Sequence, residues 1–229
     1  KPIARYAGFY GGSGVSRFDN MVRYTSPTVF GFIADYSYSF GNQPGDSEYK
    51  SGYNTGLRFT QGPIDVAYTH EEVRLTNTIV TEKIDLVAAK YTINNLTLNA
   101  GYAITDNPST LTNFYASSTK ADGKTDAKTW FAGAKYKVND RFSLNAGYYD
   151  VSDRVTSGKN DVQMTAVGVV YSFSKRTEVF ADYVTANRTG NANAPFTIFD
   201  RWVPSQDGTT VSDSKYKQNA FAVGLQHRF

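Results

Sequence analysis

Apolar and polar residues alternate along most of this chain with a period of two. In the last nine residues, the odd positions from Phe221 to Phe229 are mainly large and apolar, whereas the even positions are small or polar. The segments 96–102 and 141–148 repeat this alternation, and no stretch keeps a helical spacing for more than a turn. A period of two is typical of β-strands with one apolar face, so the sequence predicts an all-β protein.

The pattern predicts eleven strands joined by connections of alternating length. Short connections fall at 26–31, 61–63, 93–95, 139–140 and 172–174, and long polar ones at 41–50, 75–81, 106–126, 152–160 and 186–215. This regular alternation favours antiparallel, up-and-down strands with the long connections at one end. The predicted strands are 16–25, 32–40, 51–60, 63–74, 82–92, 95–105, 127–138, 140–151, 161–172, 175–185 and 216–229.

Strand length and aromatic placement indicate a transmembrane antiparallel β-barrel. Strands of about ten residues suit a tilted membrane crossing, whereas soluble sandwiches use shorter strands and do not need alternating connection lengths. Aromatic residues gather at strand ends, where barrels place the girdles that lie at the membrane interfaces. These residues are Tyr24, Phe32, Tyr38, Phe40, Phe59, Tyr91, Tyr102, Tyr136, Phe142, Tyr148, Tyr171, Tyr183 and Phe229.

Composition excludes several classes of function. Lys and Arg number 24 against 21 Asp and Glu, a balance too even for a dedicated nucleic-acid binder. The chain has no Cys and two His, so we expect no disulfide framework, thiolate metal site, cysteine nucleophile or His-rich metal site. Aromatic residues make up 15% of the chain while its mean hydropathy is only −0.44. That combination fits a protein with one apolar face and one wet face.

Three stretches resemble the general porins of Gram-negative bacteria, particularly those of the β-proteobacteria. Residues 17–27 with 30–32 are similar to a strand and turn of that family, residues 173–183 to its penultimate hairpin, and residues 223–229 to its closing strand. The resemblance implies a sixteen-stranded homotrimeric barrel in the outer membrane that passes ions and small hydrophilic solutes by passive diffusion, without a cofactor. It also implies that Phe229 is the signal recognised by the barrel-assembly machinery.

The strand count leaves two architectures open, because a closed barrel needs an even number of strands. In a sixteen-stranded barrel, residues 16–229 correspond to strands six to sixteen of a single porin domain, and residues 1–15 to the tail of the loop that folds into the pore. The alternative is a complete twelve-stranded channel specific for oligosaccharides or acidic sugars, with residues 1–11 as an extra strand. Of the trimer contacts that the resemblance implies, only Phe221, Val223 and Leu225 lie in this chain.

Alternation also predicts which charges face the lumen, because a charge on the lipid side at mid-membrane costs ~2–4 kcal/mol. On the fifth strand, Ile84 and Leu86 compete with Val87 and Ala89 for the lipid side. The inward basic residues outnumber the acidic ones, which predicts a mild anion preference unless these charges pair with one another. The inward basic residues are Arg17, Arg23, Arg58, Lys90, Lys135, Arg141, Arg176 and Arg228, and the acidic ones are Asp19, Asp35, Asp65, Glu71, Glu178 and Asp182.

The resemblance places Arg17 on the wall of the constriction, where a permanently charged guanidinium suits carboxylate or phosphate solutes. Arg5, in the pore-loop tail, is expected to line the same throat, and Arg23 to lie nearer the periplasmic mouth. Glu71 and Glu72, near the outer rim, could hold a divalent cation that bridges lipopolysaccharide, or could simply be solvated. The residues favoured as pore-lining are Arg5, Arg17, Asp19, Arg23, Arg58, Lys135, Arg176 and Glu178.

A membrane hydrolase is the competing class of function. His70 is its one candidate general base, with Ser47 or Ser51 as a conceivable nucleophile, but no spacing in the sequence supports that arrangement. His227 shares the apolar register with Phe229 and suits an interfacial anchor. The sequence therefore favours a channel and predicts no catalytic residue.

Overall fold

The computed structural model describes residues 20–41, 45, 51–74, 81–106, 126–153, 161–188, 197–198, 201–202 and 216–229. Within these ranges, every regular element is a β-strand. The strands are β1 (Met21–Thr25), β2 (Phe32–Ser39), β3 (Gly52–Gln61), β4 (Ile64–Arg74), β5 (Thr81–Ile93), β6 (Leu96–Asp106), β7 (Asp126–Lys137), β8 (Phe142–Asp153), β9 (Val162–Ser172), β10 (Thr177–Arg188), β11 (Thr197–Ile198), β12 (Arg201–Trp202) and β13 (Tyr216–His227).

Eleven of these strands form one antiparallel sheet in the order β1 to β10 followed by β13. The predicted all-β, eleven-stranded antiparallel architecture is confirmed, with most boundaries shifted by one to three residues. In the described part of the chain, β1 and β13 stand at the two ends of the sheet. β11 and β12 pair only with each other, inside a segment predicted to be loop. Two-residue strands are too short to carry an alternation signal, which is why the sequence missed them.

Short turns join successive strands at one end of the sheet, which we call the short-turn rim. Gly62 has a φ of 55°, in the left-handed region that glycine adopts without strain, and with Pro63 it closes the two-residue β3–β4 turn. Two longer turns use the same side-chain device. Asn139 Oδ1 accepts the backbone N–H groups of Arg141 and Phe142, and Ser174 Oγ accepts those of Arg176 and Thr177. These contacts pre-form the turns and so fix the register of the hairpins.

The two faces of the sheet differ sharply in chemistry. Large apolar side chains on one face, the apolar face, are exposed, as expected for a surface that meets lipid. On β5, Val87 and Tyr91 belong to this face, paired with Tyr68 and Ile64, which resolves the ambiguity of that strand. Alternation in the sequence predicts that eight apolar residues face outward. Seven of them are exposed on the apolar face, which confirms the prediction for these seven, and the eighth, Phe18, lies outside the described residues. The seven are Val22, Phe32, Tyr36, Leu57, Leu144, Val169 and Val223.

Aromatic rings on the apolar face form two bands. Near the short-turn rim, Phe32 and Phe59 pack with ring centroids 4.6 Å apart, and Tyr171 and Phe173 with centroids 5.0 Å apart. Nearer the long connections, Trp130 lies 5.0 Å from Tyr148. Rings at both edges of an apolar band are the girdles predicted from the sequence.

On the opposite face, the polar face, two phenylalanine rings pack against glycines of neighbouring strands. Phe131 covers Gly101 and Phe180 covers Gly224, and a Cβ at either glycine would lie 2.3 Å from the ring. Only glycine allows so close an approach, and it lets these rings lie flat against the sheet. No helix among the described residues is long and apolar enough to cross a membrane.

Candidate pore wall

An ion cluster on the polar face joins strands β3, β4 and β5. Arg58 donates to both carboxylate oxygens of Asp65, from Nε at 2.8 Å and from Nη2 at 2.5 Å. Lys90 Nζ reaches Asp65 Oδ2 at 2.7 Å, from the opposite side of the acid. A single carboxylate is thus shared by two cations, and the cluster carries a net charge of +1.

Two further ion pairs lie on the same face. Arg23 donates to Asp35 across β1 and β2, and Arg228 lies 3.7 Å from Glu178 beside β10. The pairing anticipated as an alternative to a net field is therefore real at these positions. It reduces the field at Arg23 and Arg228, whereas the Asp65 cluster keeps one excess cation.

Four cations form a belt just inside the short-turn rim: Arg23, Arg58, Lys90 and Lys135. Each lies two or three residues from the short-turn end of its strand, on β1, β3, β5 and β7 respectively. Neighbouring strands are about 4.8 Å apart, so the cations recur every ~10 Å along the wall.

The positive charges of the belt have carboxylates beside them at the β1 end but not at the β7 end. Carboxylates accompany it on β2 and β4, whereas the residues opposite Lys90 and Lys135 on β6 and β8 are the neutral Asn99 and Asn145. No acidic partner for Lys135 is found among the described residues. Among the described residues, Lys135 is therefore the cation of the belt that has no carboxylate beside it.

Only some of the predicted pore-lining residues lie on the polar face of the described strands. Arg23, Arg58, Lys135 and Glu178 lie on the polar face as expected, whereas Arg5, Arg17 and Asp19 fall outside the described residues. The assignment of Arg176 to a strand was wrong, because it lies in the turn before β10, and the same holds for Arg141 before β8. Both turns are longer than predicted, since the Asn139 and Ser174 contacts delay the start of the next strand.

Glu71 and Glu72 do not form a joint cation site. Consecutive residues of a strand point to opposite faces. Glu71 accepts a weak hydrogen bond from Asn54 on the polar face at 3.4 Å, whereas Glu72 contacts Tyr53 and Lys83 on the apolar face. Within the described ranges, no group of three or more His, Cys, Asp or Glu residues is arranged to hold a metal ion.

Asp182 is the most enclosed acid of the polar face. It is buried, with Oδ2 lacking a hydrogen-bond partner within the described part of the chain. Its carboxylate lies over Gly168 of β9, where a Cβ would be 2.1 Å from Oδ1. The glycine therefore makes the room that this acid occupies.

A polar network on the apolar face was not predicted. His70 lies between Tyr53, whose Oη is 3.2 Å from Nε2, and Asp85, whose Oδ1 is 2.8 Å from Nδ1. Tyr68 also donates to Asp85 at 2.6 Å, and Lys83 lies 3.2 Å from Glu72. Mutual pairing lowers the cost of placing these groups on a lipid-facing surface. The network could have been predicted from the register of β4 and β5, because that register puts His70 directly opposite Asp85.

A model of the Gram-negative porin family matches residues 3–193, most of the chain. The chain belongs to the Gram-negative porin family. The alternating faces, the aromatic bands and the ion pairs of the polar face agree with that membership.

Curated relatives agree with this assignment. This porin is 24% identical to an outer membrane porin protein of Bordetella pertussis, over 93% of the chain and 58% of the relative. It is 25% identical to the major outer membrane protein P.IB of Neisseria meningitidis serogroup B, over 91% of the chain and 56% of the relative. The chain thus spans a little over half the length of the curated relatives that it matches.

Solved porin structures share the fold at low sequence identity. An anion-selective porin from Comamonas acidovorans superposes with a TM-score of 0.69 at 16% identity, over 93% of this chain and 60% of that one. A loop-deletion mutant of OmpT from Vibrio cholerae gives a TM-score of 0.65 at 19% identity, over 95% of this chain and 65% of that one. These likenesses concern the fold alone.

Proposed function

We propose that this porin is part of a water-filled outer-membrane channel for the passive diffusion of ions and small hydrophilic solutes. The observation that carries the proposal is the division of the sheet into an exposed apolar face with aromatic bands and an opposite face lined by ion pairs. Such a sheet is stable only with lipid on one side and water on the other.

The chain supplies strands six to sixteen of a sixteen-stranded barrel, as a single domain over residues 16–229, with residues 1–15 belonging to the pore loop. The fraction of the curated relatives that it spans supports this proposal over a complete twelve-stranded channel. The intact mass of the protein purified from outer membranes separates the two. A mass near 25.3 kDa favours the twelve-stranded barrel. A mass that is larger by that of about five additional strands and their connections favours the sixteen-stranded one.

The channel prefers anions mildly, because its cations project into the lumen while their acidic partners are recessed. The side chain of Arg58 is 53% exposed and that of its partner Asp65 only 12%, and Arg23 is 58% exposed against 23% for Asp35. A passing ion therefore meets the cations first, and its interaction with the recessed carboxylates is weaker. The pore wall of this proposal comprises Arg5, Arg17, Asp19, Arg23, Arg58, Lys135, Arg176 and Glu178.

Planar bilayers test the channel directly. The purified protein is expected to give stepwise, ohmic conductance in KCl, and liposomes that contain it are expected to swell in uncharged sugars below a size limit. Failure to give steps or swelling, by protein whose β-sheet content is intact, would contradict the proposal.

Replacing His70 by Ala is expected to leave single-channel conductance unchanged, because its imidazole lies on the apolar face with Tyr53 and Asp85. The measurements are conductance in KCl and the reversal potential across a KCl gradient, and Lys135→Gln on the polar face is the variant expected to shift the reversal potential. The order Tyr53–His70–Asp85 is that of a hydrolase triad with a phenol in place of serine. If the parent protein hydrolyses lipid and the His70→Ala protein does not, the hydrolase hypothesis is favoured over the channel.

The assembled form is a homotrimer surrounded by outer-membrane lipid and lipopolysaccharide. From this chain, Phe221, Val223 and Leu225 on β13 are the proposed trimer contacts, and all three are exposed apolar side chains. Cross-linking of intact membranes tests the stoichiometry. If a Val223→Arg variant still forms trimers, the β13 surface is not part of the trimer contact.

Phe229 is the signal for the barrel-assembly machinery. Its side chain is fully exposed beyond β13, and the His227 ring meets it edge-on at a centroid distance of 4.9 Å. Phe229→Ser is therefore expected to reduce folded protein in the outer membrane several-fold while detergent refolding of the purified chain stays unchanged. Equal losses in both assays would indicate a role in stability instead.

A further inference from the structure

The Arg58–Asp65–Lys90 cluster leaves several hydrogen-bond donors unused. Arg58 spends Nε and one N–H of Nη2 on Asp65, and Lys90 spends one of its three ammonium N–H groups on the same acid. Within the described ranges, neither cation has an acceptor other than Asp65. The remaining guanidinium and ammonium N–H groups are therefore available on the polar face.

Asp65 also fixes how far apart the two cations lie. Arg58 Nη2 and Lys90 Nζ bind the same oxygen, at 2.5 Å and 2.7 Å, so the two nitrogen atoms are no more than about 5 Å apart. Two oxygens of one phosphate or carboxylate group, each accepting from one nitrogen at hydrogen-bond distance, fit that spacing. The acid thus holds the cations side by side against their mutual repulsion.

Charge and exposure favour an oxyanion as the ligand. The cluster carries one excess positive charge, and both cations are about half exposed while Asp65 lies beneath them. The planar fork of Arg58 matches the geometry of carboxylate and phosphate oxygens, which a spherical halide cannot use as well.

We propose that Arg58 and Lys90 form a binding site on the lumen wall for one oxyanion group, a phosphate or carboxylate carried by a permeating solute. The inference rests on the proposed channel function, because the polar face must be open to solutes. The site lies near the short-turn rim, so it lies away from the constriction assigned to Arg17. It binds oxyanions more strongly than chloride.

Titration of the detergent-folded protein with inorganic phosphate, followed by phosphorus NMR line broadening, tests the site. Lys90→Gln and Arg58→Gln are each expected to weaken phosphate binding by about threefold to tenfold. Two variants are used so that a folding failure in one leaves the other to decide. If both fold and both bind phosphate like the parent, the proposal is overturned.

Lys83→Gln is the matched control. Lys83 lies on the same strand, forms an ion pair with a β4 carboxylate, and is 47% exposed against 48% for Lys90, but it faces the apolar side. Its loss is expected to leave phosphate binding unchanged, and a loss of binding equal to that of Lys90→Gln would indicate only a general effect of net charge.

Bilayer recordings separate this inference from the channel itself. Phosphate added to KCl is expected to reduce the chloride current of the parent and to do so less in Lys90→Gln. Conductance without phosphate binding would overturn the site and leave the channel standing. Phosphate binding without conductance would overturn the channel, and with it the place of the site on a lumen wall, but would leave Arg58 and Lys90 as an anion-binding pair.

Discussion

Replacing Arg17 by Glu is expected to weaken or reverse the preference of the channel for anions. The change alters the local charge by two units at the narrowest level of the lumen, where water screens least and the field on a passing ion is largest. Arg17 lies outside the described residues, so its place at the constriction is a prediction from the family resemblance. The measurement is the reversal potential across a salt gradient in planar bilayers.

Arg228→Glu is the matched control for that experiment. Arg228 already lies 3.7 Å from Glu178, close to the short-turn rim, where we expect the lumen to widen and solvent to screen charges within ~8–10 Å. The same two-unit change there is expected to move the reversal potential much less. A shift with Arg228→Glu and none with Arg17→Glu would show that the constriction lies elsewhere.

Replacing Ala146 by Arg is expected to lower the free energy of unfolding by ~2–4 kcal/mol, because it places a charge in the middle of the lipid-facing surface. Ala146 is exposed on the apolar face of β8, opposite Ala134 and Val167. The measurement is reversible urea unfolding of the protein in lipid vesicles.

The adjacent residue provides the control, since Asn145 faces the other way. Asn145→Arg adds the same side chain on the polar face, where it is hydrated, although it lies opposite Lys135. Its cost is expected to stay below about 1 kcal/mol, the scale of a like-charge cross-strand pair. If both variants lower the free energy of unfolding equally, the two faces of β8 are in the same environment, which contradicts the prediction.

Local alternation was enough to predict the eleven strands of the large sheet and most of their faces. Leu57, Leu144 and Val223 face outward as expected, because a side chain's face depends only on its parity within the strand. Where both parities are apolar, as for Leu86 and Val87 on β5, the sequence left the face open. The structure decides it through the pairing of Lys90 with Asp65.

The sequence by itself therefore determined an all-β, antiparallel chain with one wet face, and the family resemblance that goes with it. The tertiary structure alone decided which charges meet. Arg58 and Asp65 are seven residues apart across a tight turn, but Lys90 reaches the same acid from 25 residues away, and His70 meets Asp85 across a long connection. Alternation repeats every two residues and needs no partner strand, whereas a cross-strand contact depends on register. A shift of one residue in that register would move every such side chain to the other face.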